Sequence, residues 1–323
     1  MTDKTALVLG ATGGIGGEVA RRLKAKGWTI RALHRQAAGR RSGADGFDWR
    51  QGDALRREDV KDAAAGVQLI VHAVNPPGYR KWSQTVLPML DHSIAAAKAN
   101  GVRILLPGTV YNFGPDVLPE PGETSAQNPV MVKGRIRAEM ERKLREASTG
   151  GAKALIVRAG DFFGPRSGNN WFTQGLVKPG RPVTAITYPG APGVGHQWAY
   201  LPDVAETMVR LIERDAELEP FARFHMQGHW DEDGTRMIAA IRRAVGRPDL
   251  PVRKFPWRVI TLASPFVPLF RELKEMRYLW QTPLHMRNTR LVAMLGAEPH
   301  TPLDDAVHAT LSAIDCLSDT RAR

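Results

Sequence analysis

Short apolar runs alternate with amphipathic stretches along the first half of the chain. The run at residues 6–9 is followed by Val19, Ala20 and Leu23, which recur at helical spacing until Gly27. Later apolar runs lie at residues 28–33, 69–74, 102–106 and 154–157, with helical segments near Lys61, Ile94 and Ala138. This rhythm predicts an α/β fold in which a doubly wound parallel sheet carries helices on both faces.

The alternation ends after Gly164, where Gly- and Pro-rich segments follow at residues 178–182 and 188–193. A helical stretch at about 203–214 and a strand-like stretch at 221–226 predict a return to the sheet. We therefore predict a first domain over residues 1–165, with returning elements at about 199–230. Residues 166–198 and 231–323 are expected to form a smaller C-terminal, substrate-binding lobe. Within that lobe, Met276, Trp280 and Leu284 recur at helical spacing and predict a packed helix face.

A glycine-rich loop joins the first predicted strand to the first predicted helix. Its candidate cofactor-binding residues are Gly10, Thr12, Gly13, Gly14, Ile15 and Gly16. Glycine lets the backbone turn tightly and approach a pyrophosphate, whose charge is stabilised by the helix N-terminus. Because the loop lies within the first strand–helix–strand unit, it predicts a Rossmann-type dinucleotide site rather than an ordinary turn.

The end of the second predicted strand indicates which dinucleotide binds. An NAD site usually has an Asp or Glu there, about 20 residues after the glycines. Here the sequence is Leu33, His34 and Arg35. With no carboxylate and an arginine available for a 2′-phosphate, NADP(H) is favoured over NAD(H). The alternative for Arg35 is a solvated surface charge.

Several later segments carry a family resemblance. They are residues 52–54 (Gly-Asp-Ala), 72–75 (His-Ala-Val-Asn), 109–111 (Thr-Val-Tyr), 158–165 (Arg-Ala-Gly-Asp-Phe-Phe-Gly-Pro) and 198–205 (Trp-Ala-Tyr-Leu-Pro-Asp-Val-Ala). With the glycine loop, they resemble the extended and atypical short-chain dehydrogenase/reductases, of the NAD-dependent epimerase/dehydratase type. The likeness covers about residues 5–214. It implies that Asp53 contacts the adenine, and that further cofactor contacts come from Ala54, Ala73, Asn75, Lys133 and Phe162.

The catalytic device usual in that superfamily is missing from this sequence. It is a Tyr four residues before a Lys, with a nearby Ser or Thr, and no tyrosine here fits it. Alignment through Arg135 and Glu139 places Met131 at the Tyr position, and Thr109 is the nearest hydroxyl to the usual Ser. Met cannot transfer a proton, so the standard mechanism is not expected.

A second resemblance offers another proton-transfer group. Residues 133–141 are similar to the Lys, Arg and Glu spacing of isoflavone-reductase-like enzymes, in which a lone Lys acts beside the nicotinamide. The resemblance implies that Lys133 transfers the proton. It could equally bind only the nicotinamide ribose or be a charge on the first turn of a helix. The candidate catalytic residues are Lys133, Thr109, Tyr111 and His196, of which His196 is the alternative acid or base.

Polar and aromatic residues cluster where these families form the substrate pocket. The substrate candidates are Asn169, Asn170, Trp171, Gln197 and Tyr200, although ordinary packing explains each of them singly. His225 and His229 are four residues apart but lack a third ligand, so no metal site is expected.

Composition and charge exclude several other classes of protein. The net charge is +12, but the basic residues are scattered and carry no nucleic-acid-binding pattern, so no specific nucleic acid is expected. The lone Cys316 excludes an intrachain disulfide, and we expect neither a signal peptide nor a membrane span. We therefore expect a cytoplasmic protein that binds a small-molecule substrate, with a homodimer left open. The expected function is an NADP(H)-dependent oxidoreductase or epimerase/dehydratase-like enzyme for a small carbonyl or hydroxyl compound. The alternative is a nonenzymatic NADP(H) sensor or regulator, since fold alone does not decide between them.

Overall fold

The computed structural model describes residues 4–40, 45–76, 82–168 and 170–317. Its strands are, in chain order, β1 (Thr5–Leu9), β2 (Thr29–His34), β3 (Asp48–Gln51), β4 (Leu69–His72), β5 (Arg103–Thr109), β6 (Lys153–Ala159), β7 (Asp161–Phe163), β8 (Ile186–Tyr188), β9 (His196–Tyr200), β10 (Phe221–His225), β11 (His229–Asp231) and β12 (Val252–Lys254). Seven of them form one parallel sheet in the order β10-β6-β5-β4-β1-β2-β3. The predicted α/β fold with a doubly wound parallel sheet is confirmed.

Helices cover both faces of this sheet. One face carries α1 (Gly14–Ala25), α5 (Leu201–Glu213) and α9 (Thr289–Leu295), and the other carries α2 (Arg57–Ala63), α3 (Trp82–Asn100) and α4 (Val132–Thr149). The remaining helices pack in the smaller lobe described below and are α6 (Arg236–Ala244), α7 (Trp257–Ala263), α8 (Pro268–Met276) and α10 (Leu303–Ala313). The returning elements expected at 203–214 and 221–226 are α5 and β10. No helix among the described residues is long and apolar enough to cross a membrane.

Side-chain alternation along the strands builds two core layers. Ala6 and Val8 of β1 pack with the apolar residues of α1 and α5, whereas Leu7 and Leu9 pack with those of α2, α3 and α4. All four residues are buried. Successive side chains of a strand point to opposite faces, so a continuous apolar strand requires helices on both sides.

The order of the strands determines where a site can form. From β1 the chain adds strands outwards to β3, then crosses back to β4 on the other side of β1. Such a reversal leaves a crevice outside the carboxyl ends of the strands, which is where ligands bind in open α/β sheets. Gly10, Arg35 and Ala73 all directly follow strands β1, β2 and β4 at this edge.

A smaller lobe covers the carboxyl end of β6. Strand β9 pairs with β7 and β11, and β8 pairs with β12. The core of this lobe contains Trp171, Trp198 and Trp280, with residues of α6 and α10 packed around them. The predicted burial of Met276, Trp280 and Leu284 is confirmed, but one continuous helix face was wrong. Helix α8 ends at Met276, and a 3-10 turn over Arg277–Trp280 follows.

Candidate active site and cofactor site

The glycine loop has the backbone geometry of a phosphate cradle. Gly10 has φ +93°, and a Cβ there would lie 2.5 Å from the carbonyl oxygen of Ala73. At Gly13 an added Cβ would meet only the carbonyl oxygen of Gly10, at 3.3 Å, so the space above Gly13 is not needed for packing. Among the described residues, no side chain caps α1, and its first turn carries no acidic residue. A helix N-terminus in this state suits a pyrophosphate.

The residues expected at the adenine end lie side by side. Arg35 follows β2 with its side chain exposed, and Asp53 lies just after β3. The two strand ends are joined because Gly52 N donates to His34 O at 3.2 Å. Asp53 Oδ1 accepts from Leu55 N at 3.0 Å, and the buried Ala54 receives a hydrogen bond from His92 on its carbonyl oxygen. Their contacts with the ribose and adenine stay a prediction.

A cavity of about 250 Å³ adjoins the same loop. Arg21 and Arg166 line it and both donate to Glu18 Oε1, at 2.8 and 3.2 Å. Thr12 and Gly13 also line it. Guanidinium groups beside a glycine loop add positive charge where phosphates would lie.

The segment after β4 completes the cofactor side. Ala73 N donates to Leu9 O at 2.9 Å, which holds this segment against the glycine loop. Asn75 Oδ1 accepts from Trp82 Nε1 at 2.6 Å, at the start of α3. His72 is buried with Nδ1 2.8 Å from Ser93 Oγ, and burial, with the charge of Arg137, lowers its pKa to about 3.

Three polar side chains meet beyond the carboxyl ends of β5 and β6. Tyr111 OH donates to Asp161 Oδ1 at 3.3 Å, and His196 Nε2 lies 2.9 Å from Asp161 Oδ2. Thr109, at the end of β5, accepts from Tyr111 N at 3.3 Å and so shapes the turn that carries the tyrosine. The imidazole of His196 is stacked on the indole of Trp280, with ring centroids 3.7 Å apart. The structure thus joins the predicted Tyr111 and His196 through Asp161.

Helix α4 brings Lys133 to the same region. Lys133 lies in its first turn, and its buried side chain has Nζ 3.9 Å from Met276 Sδ. The next residue, Gly134, packs so tightly on the carbonyl oxygen of Tyr111 that a Cβ would overlap it. Met131 precedes the helix and is buried in the core of the lobe.

The substrate candidates separate into different environments. Asn169 lies outside the described residues. Asn170 bonds locally to Ser167 Oγ, Gly168 O and Thr173 N. Trp171 is buried against Trp280, with ring centroids 5.2 Å apart, and is therefore a neighbour of the stacked His196.

Two other candidates are engaged in the interior. The Gln197 amide bonds to the backbone of Met226, Gln227 and Met286. Tyr200 is buried where β9 meets α5, and burial, with the nearby Asp203 and Glu18 carboxylates, raises its pKa. Phe162, expected to contact the cofactor, is partly buried against the core layer of α1 and α5. A substrate role for these residues stays a prediction, but the Gln197 amide is already committed to backbone groups.

Comparison with known proteins identifies the family. Residues 6–225 match the model of the NAD-dependent epimerase/dehydratase family. The chain therefore belongs to the NAD-dependent epimerase/dehydratase family. This confirms the first resemblance and the expectation of a nicotinamide-dinucleotide-dependent enzyme of the epimerase/dehydratase type. The isoflavone-reductase-like role of Lys133 lies outside this match and stays a prediction.

Solved structures share the fold of this epimerase/dehydratase family member. A UDP-N-acetylglucosamine 4-epimerase from Bacillus cereus has a TM-score of 0.72 at 16% identity, covering 98% of this chain and 99% of the other. A UDP-glucose 4-epimerase from Thermotoga maritima has a TM-score of 0.75 at 16% identity, with coverage of 96% and 98%. The WbmH enzyme of Bordetella bronchiseptica, solved with NAD+, has a TM-score of 0.70 at 17% identity, with coverage of 97% and 98%.

A curated relative is closer in sequence. A 3-diazoavenalumate denitrifying reductase from a Streptomyces species is 32% identical over 180 residues, which are 50% of this chain and 57% of that protein. The chain thus matches little more than half the length of this relative.

Sequence reasoning missed two residues of the site. Asp161 lies within the motif at 158–165, where a carboxylate between apolar strand residues was the available signal. Trp280 was recognised as a core residue only, since its stacking on His196 joins positions far apart in the chain.

Proposed function

We propose that this protein is an NADP(H)-dependent oxidoreductase for small organic carbonyl or hydroxyl compounds. One observation carries the proposal: the glycine loop, Arg35 and the Tyr111 hydroxyl lie along the same carboxyl edge of the sheet. A dinucleotide laid across that edge from Arg35 would bring its nicotinamide end toward α4 and Tyr111.

Charge at the end of β2 supports NADP(H) over NAD(H). Arg35 is exposed there, and no carboxylate occupies the position that would hold a 2′-hydroxyl. A guanidinium forms charge-assisted hydrogen bonds with a phosphate and has no equivalent partner on a plain ribose. The preference therefore rests on Arg35.

Lys133 would hold the nicotinamide end. Its ammonium is near the Met276 thioether, a weak acceptor that a ribose hydroxyl can replace. When bound, the dinucleotide supplies or accepts a hydride. The chain must then move a proton at the substrate oxygen, and the aligned position of the family's usual tyrosine holds the buried Met131, just before α4.

One further observation favours a reductase. The Streptomyces relative, which shares 32% identity with half of this chain, is a reductase by name.

The test has two stages. NADPH and NADH binding are measured by calorimetry, and NADPH oxidation is then followed with a panel of aromatic ketones, aldehydes, quinones and one aryl diazo acid. We expect tighter binding of NADPH and turnover of at least one carbonyl probe. Lys133→Ala should lower turnover more than it weakens NADPH binding, because the glycine loop and Arg35 still hold the adenine end.

A matched control is Lys254→Ala, an exposed lysine on β12 in the lobe. It should change neither turnover nor binding. Failure to bind either dinucleotide would contradict the proposal. Tight NADPH binding without turnover of any probe would instead favour the nonenzymatic sensor.

A further inference from the structure

Asp161 differs from the other buried aspartates in what it binds. Asp203 accepts from the backbone and hydroxyl of Thr301, and Asp231 accepts from three backbone N–H groups at the start of α6. Both therefore fasten the chain. Asp161 is 9% exposed, and among the described residues its two carboxylate oxygens contact only the Tyr111 hydroxyl and the His196 ring. It joins two groups that can exchange protons.

Such an arrangement is costly as a purely structural device. A buried carboxylate loses its hydration, and apolar residues of similar volume often stabilise a fold as well or better. A chain of hydroxyl, carboxylate and imidazole gives what apolar packing cannot, a continuous path for a proton. Its retention in the interior therefore points to chemistry.

The location of these three side chains is consistent with proton transfer to a substrate. Tyr111 follows β5, Asp161 follows β6, and Gly134 packs the first turn of α4 onto the backbone of Tyr111. The backbone of Tyr111 thus lies at the sheet edge against the turn that carries Lys133, and its hydroxyl reaches Asp161. Tyr111 is partly exposed, whereas Asp161 and His196 are buried behind it.

We propose that Tyr111 is the catalytic proton donor and acceptor of this enzyme, and that Asp161 and His196 are positioning residues that hold and return its proton. The inference rests on the proposed oxidoreductase function. It assigns to the loop after β5 the role of the family's usual tyrosine, at whose aligned position, just before α4, this chain has Met131.

The step balances for a carbonyl reduction. The bound dinucleotide would supply the hydride to the carbonyl carbon, and the two π electrons of the C=O bond would move to the oxygen. That oxygen takes the proton of the Tyr111 hydroxyl and becomes the alcohol. The phenolate is reprotonated by a transfer from the imidazolium of His196 to Asp161 and from Asp161 to Tyr111. For alcohol oxidation the same path runs in reverse.

The ring contacts of His196 suit an imidazolium. Its plane lies 7° from that of Trp280, and the face of an indole attracts a cation. Trp198 packs edge to face on the ring at 4.8 Å, which fixes Nε2 towards Asp161. In this relay the next proton is taken up at Nδ1 of His196, which makes no hydrogen bond among the described residues.

The test is a double-mutant cycle with NADPH and phenanthrenequinone, a planar aromatic dicarbonyl. Tyr111→Phe removes only the hydroxyl and should lower kcat about 100-fold, while KM and NADPH affinity stay within about 3-fold. Asp161→Asn can still bond to Tyr111 but cannot relay the proton, and should lower kcat about 10- to 100-fold. The double variant should be no slower than Tyr111→Phe, because residues that act as a unit are not additive.

Matched controls separate catalysis from folding. Tyr278→Phe removes another partly buried hydroxyl, which donates to Phe113 O at 3.3 Å, and Asp203→Asn removes a carboxylate that is also 9% exposed. Both controls should keep kcat. If Asp161→Asn fails to fold, His196→Gln replaces it in the cycle with the same expectation.

Tyr111→Phe with more than half of the wild-type kcat, or losses that multiply in the double variant, would overturn the relay. A wild-type protein that binds NADPH but oxidises it with no carbonyl probe would instead overturn the proposed function, and the inference with it.

Discussion

Arg158 and Glu141 form a bidentate ion pair in the interior of the protein. Arg158 Nε lies 2.9 Å from Glu141 Oε1, and Nη2 lies 2.5 Å from Oε2. Arg158 is at the end of β6 and Glu141 is about two turns beyond Lys133 on α4. Gln127 also donates to Glu141, which ties the loop before α4 to the pair. This pair holds α4 against the strand that leads to Asp161.

Removing one partner of this pair should destabilise the fold strongly. Glu141→Ala leaves the Arg158 guanidinium buried without its carboxylate, and we expect a loss of about 3–5 kcal/mol in the free energy of unfolding. The double variant Arg158→Met, Glu141→Leu should recover much of that loss. Urea unfolding measures both. Arg142→Ala, which removes an exposed pairing with Glu139 and Glu146, should leave the free energy of unfolding nearly unchanged. Equal losses for Glu141→Ala and Arg142→Ala would contradict the expectation.

Replacement of Arg35 should change the cofactor preference. Arg35→Ala should weaken NADPH binding about 10- to 100-fold by loss of a charge-assisted hydrogen bond, with NADH binding nearly unchanged. Arg35→Asp should reverse the preference, since a carboxylate repels a phosphate and can accept from a ribose hydroxyl. Calorimetry with both dinucleotides gives the result. The control is Arg253→Ala, an exposed arginine on β12. An unchanged NADPH-to-NADH ratio in both Arg35 variants would assign Arg35 to the solvated surface.

Two glycines of the loop should respond differently to alanine. A Cβ at Gly13 meets only one backbone atom, so Gly13→Ala should fold normally but lose at least about 10-fold in NADPH affinity, because the methyl group enters the phosphate space. At Gly16 a Cβ would overlap the carbonyl oxygen of Gly10, so Gly16→Ala should lose about 1–3 kcal/mol of stability. Thermal unfolding with and without NADPH distinguishes the two effects. Normal NADPH affinity in Gly13→Ala would move the cofactor away from this loop.

Buried neutral histidines should make the protein acid-sensitive. Burial lowers the pKa of His72 to about 3 and that of His229 to about 4, the latter with help from His300. Between these values and the usual pKa of about 6.5, the unfolded chain binds protons that the folded chain does not. The stability from these groups is therefore complete above about pH 6.5 and is lost as pH falls. Each should contribute a slope of about 1.4 kcal/mol per pH unit near pH 5.

Urea unfolding at several pH values tests this slope. His72→Asn should make it shallower by about one proton, whereas the exposed His308→Asn should leave it as in the wild type. A His72→Asn variant with the wild-type slope would show that His72 does not carry the effect.

The first half of the fold could be predicted because its signals are local. Val19 and Leu23 recur at helical spacing within one element, and both are buried where α1 packs on the sheet. The lobe carried no such signal. Trp171 and Trp280 pack together across a long stretch of chain, and the helical spacing that links Trp280 to Leu284 continues past the end of α8.

The site was predictable only in part, for the same reason. Tyr111 and His196 could be chosen by residue type and position, but the carboxylate between them depends on how β7 pairs with β9. Gln197 was predicted to contact the substrate because it is polar and lies among aromatic residues. In the folded protein its amide forms hydrogen bonds with the backbone instead. A polar side chain in a motif does not reveal whether its partner is a ligand or a neighbouring loop.

The hydrogen bonds of Gln197 affect how the smaller lobe can move relative to the seven-stranded sheet. Its side-chain nitrogen lies 3.0 Å from Met226 O and 3.1 Å from Met286 O, and its oxygen accepts from Met286 N. One amide therefore fastens the exit of the last sheet strand, the middle of the small sheet and the chain leading into α9. Hinge bending needs backbone that is free to rotate where the bodies meet. Because Gln197 holds this junction by hydrogen bonds, we expect ligands to enter and leave by movement of the surface loops. The smaller lobe should keep its position relative to the sheet.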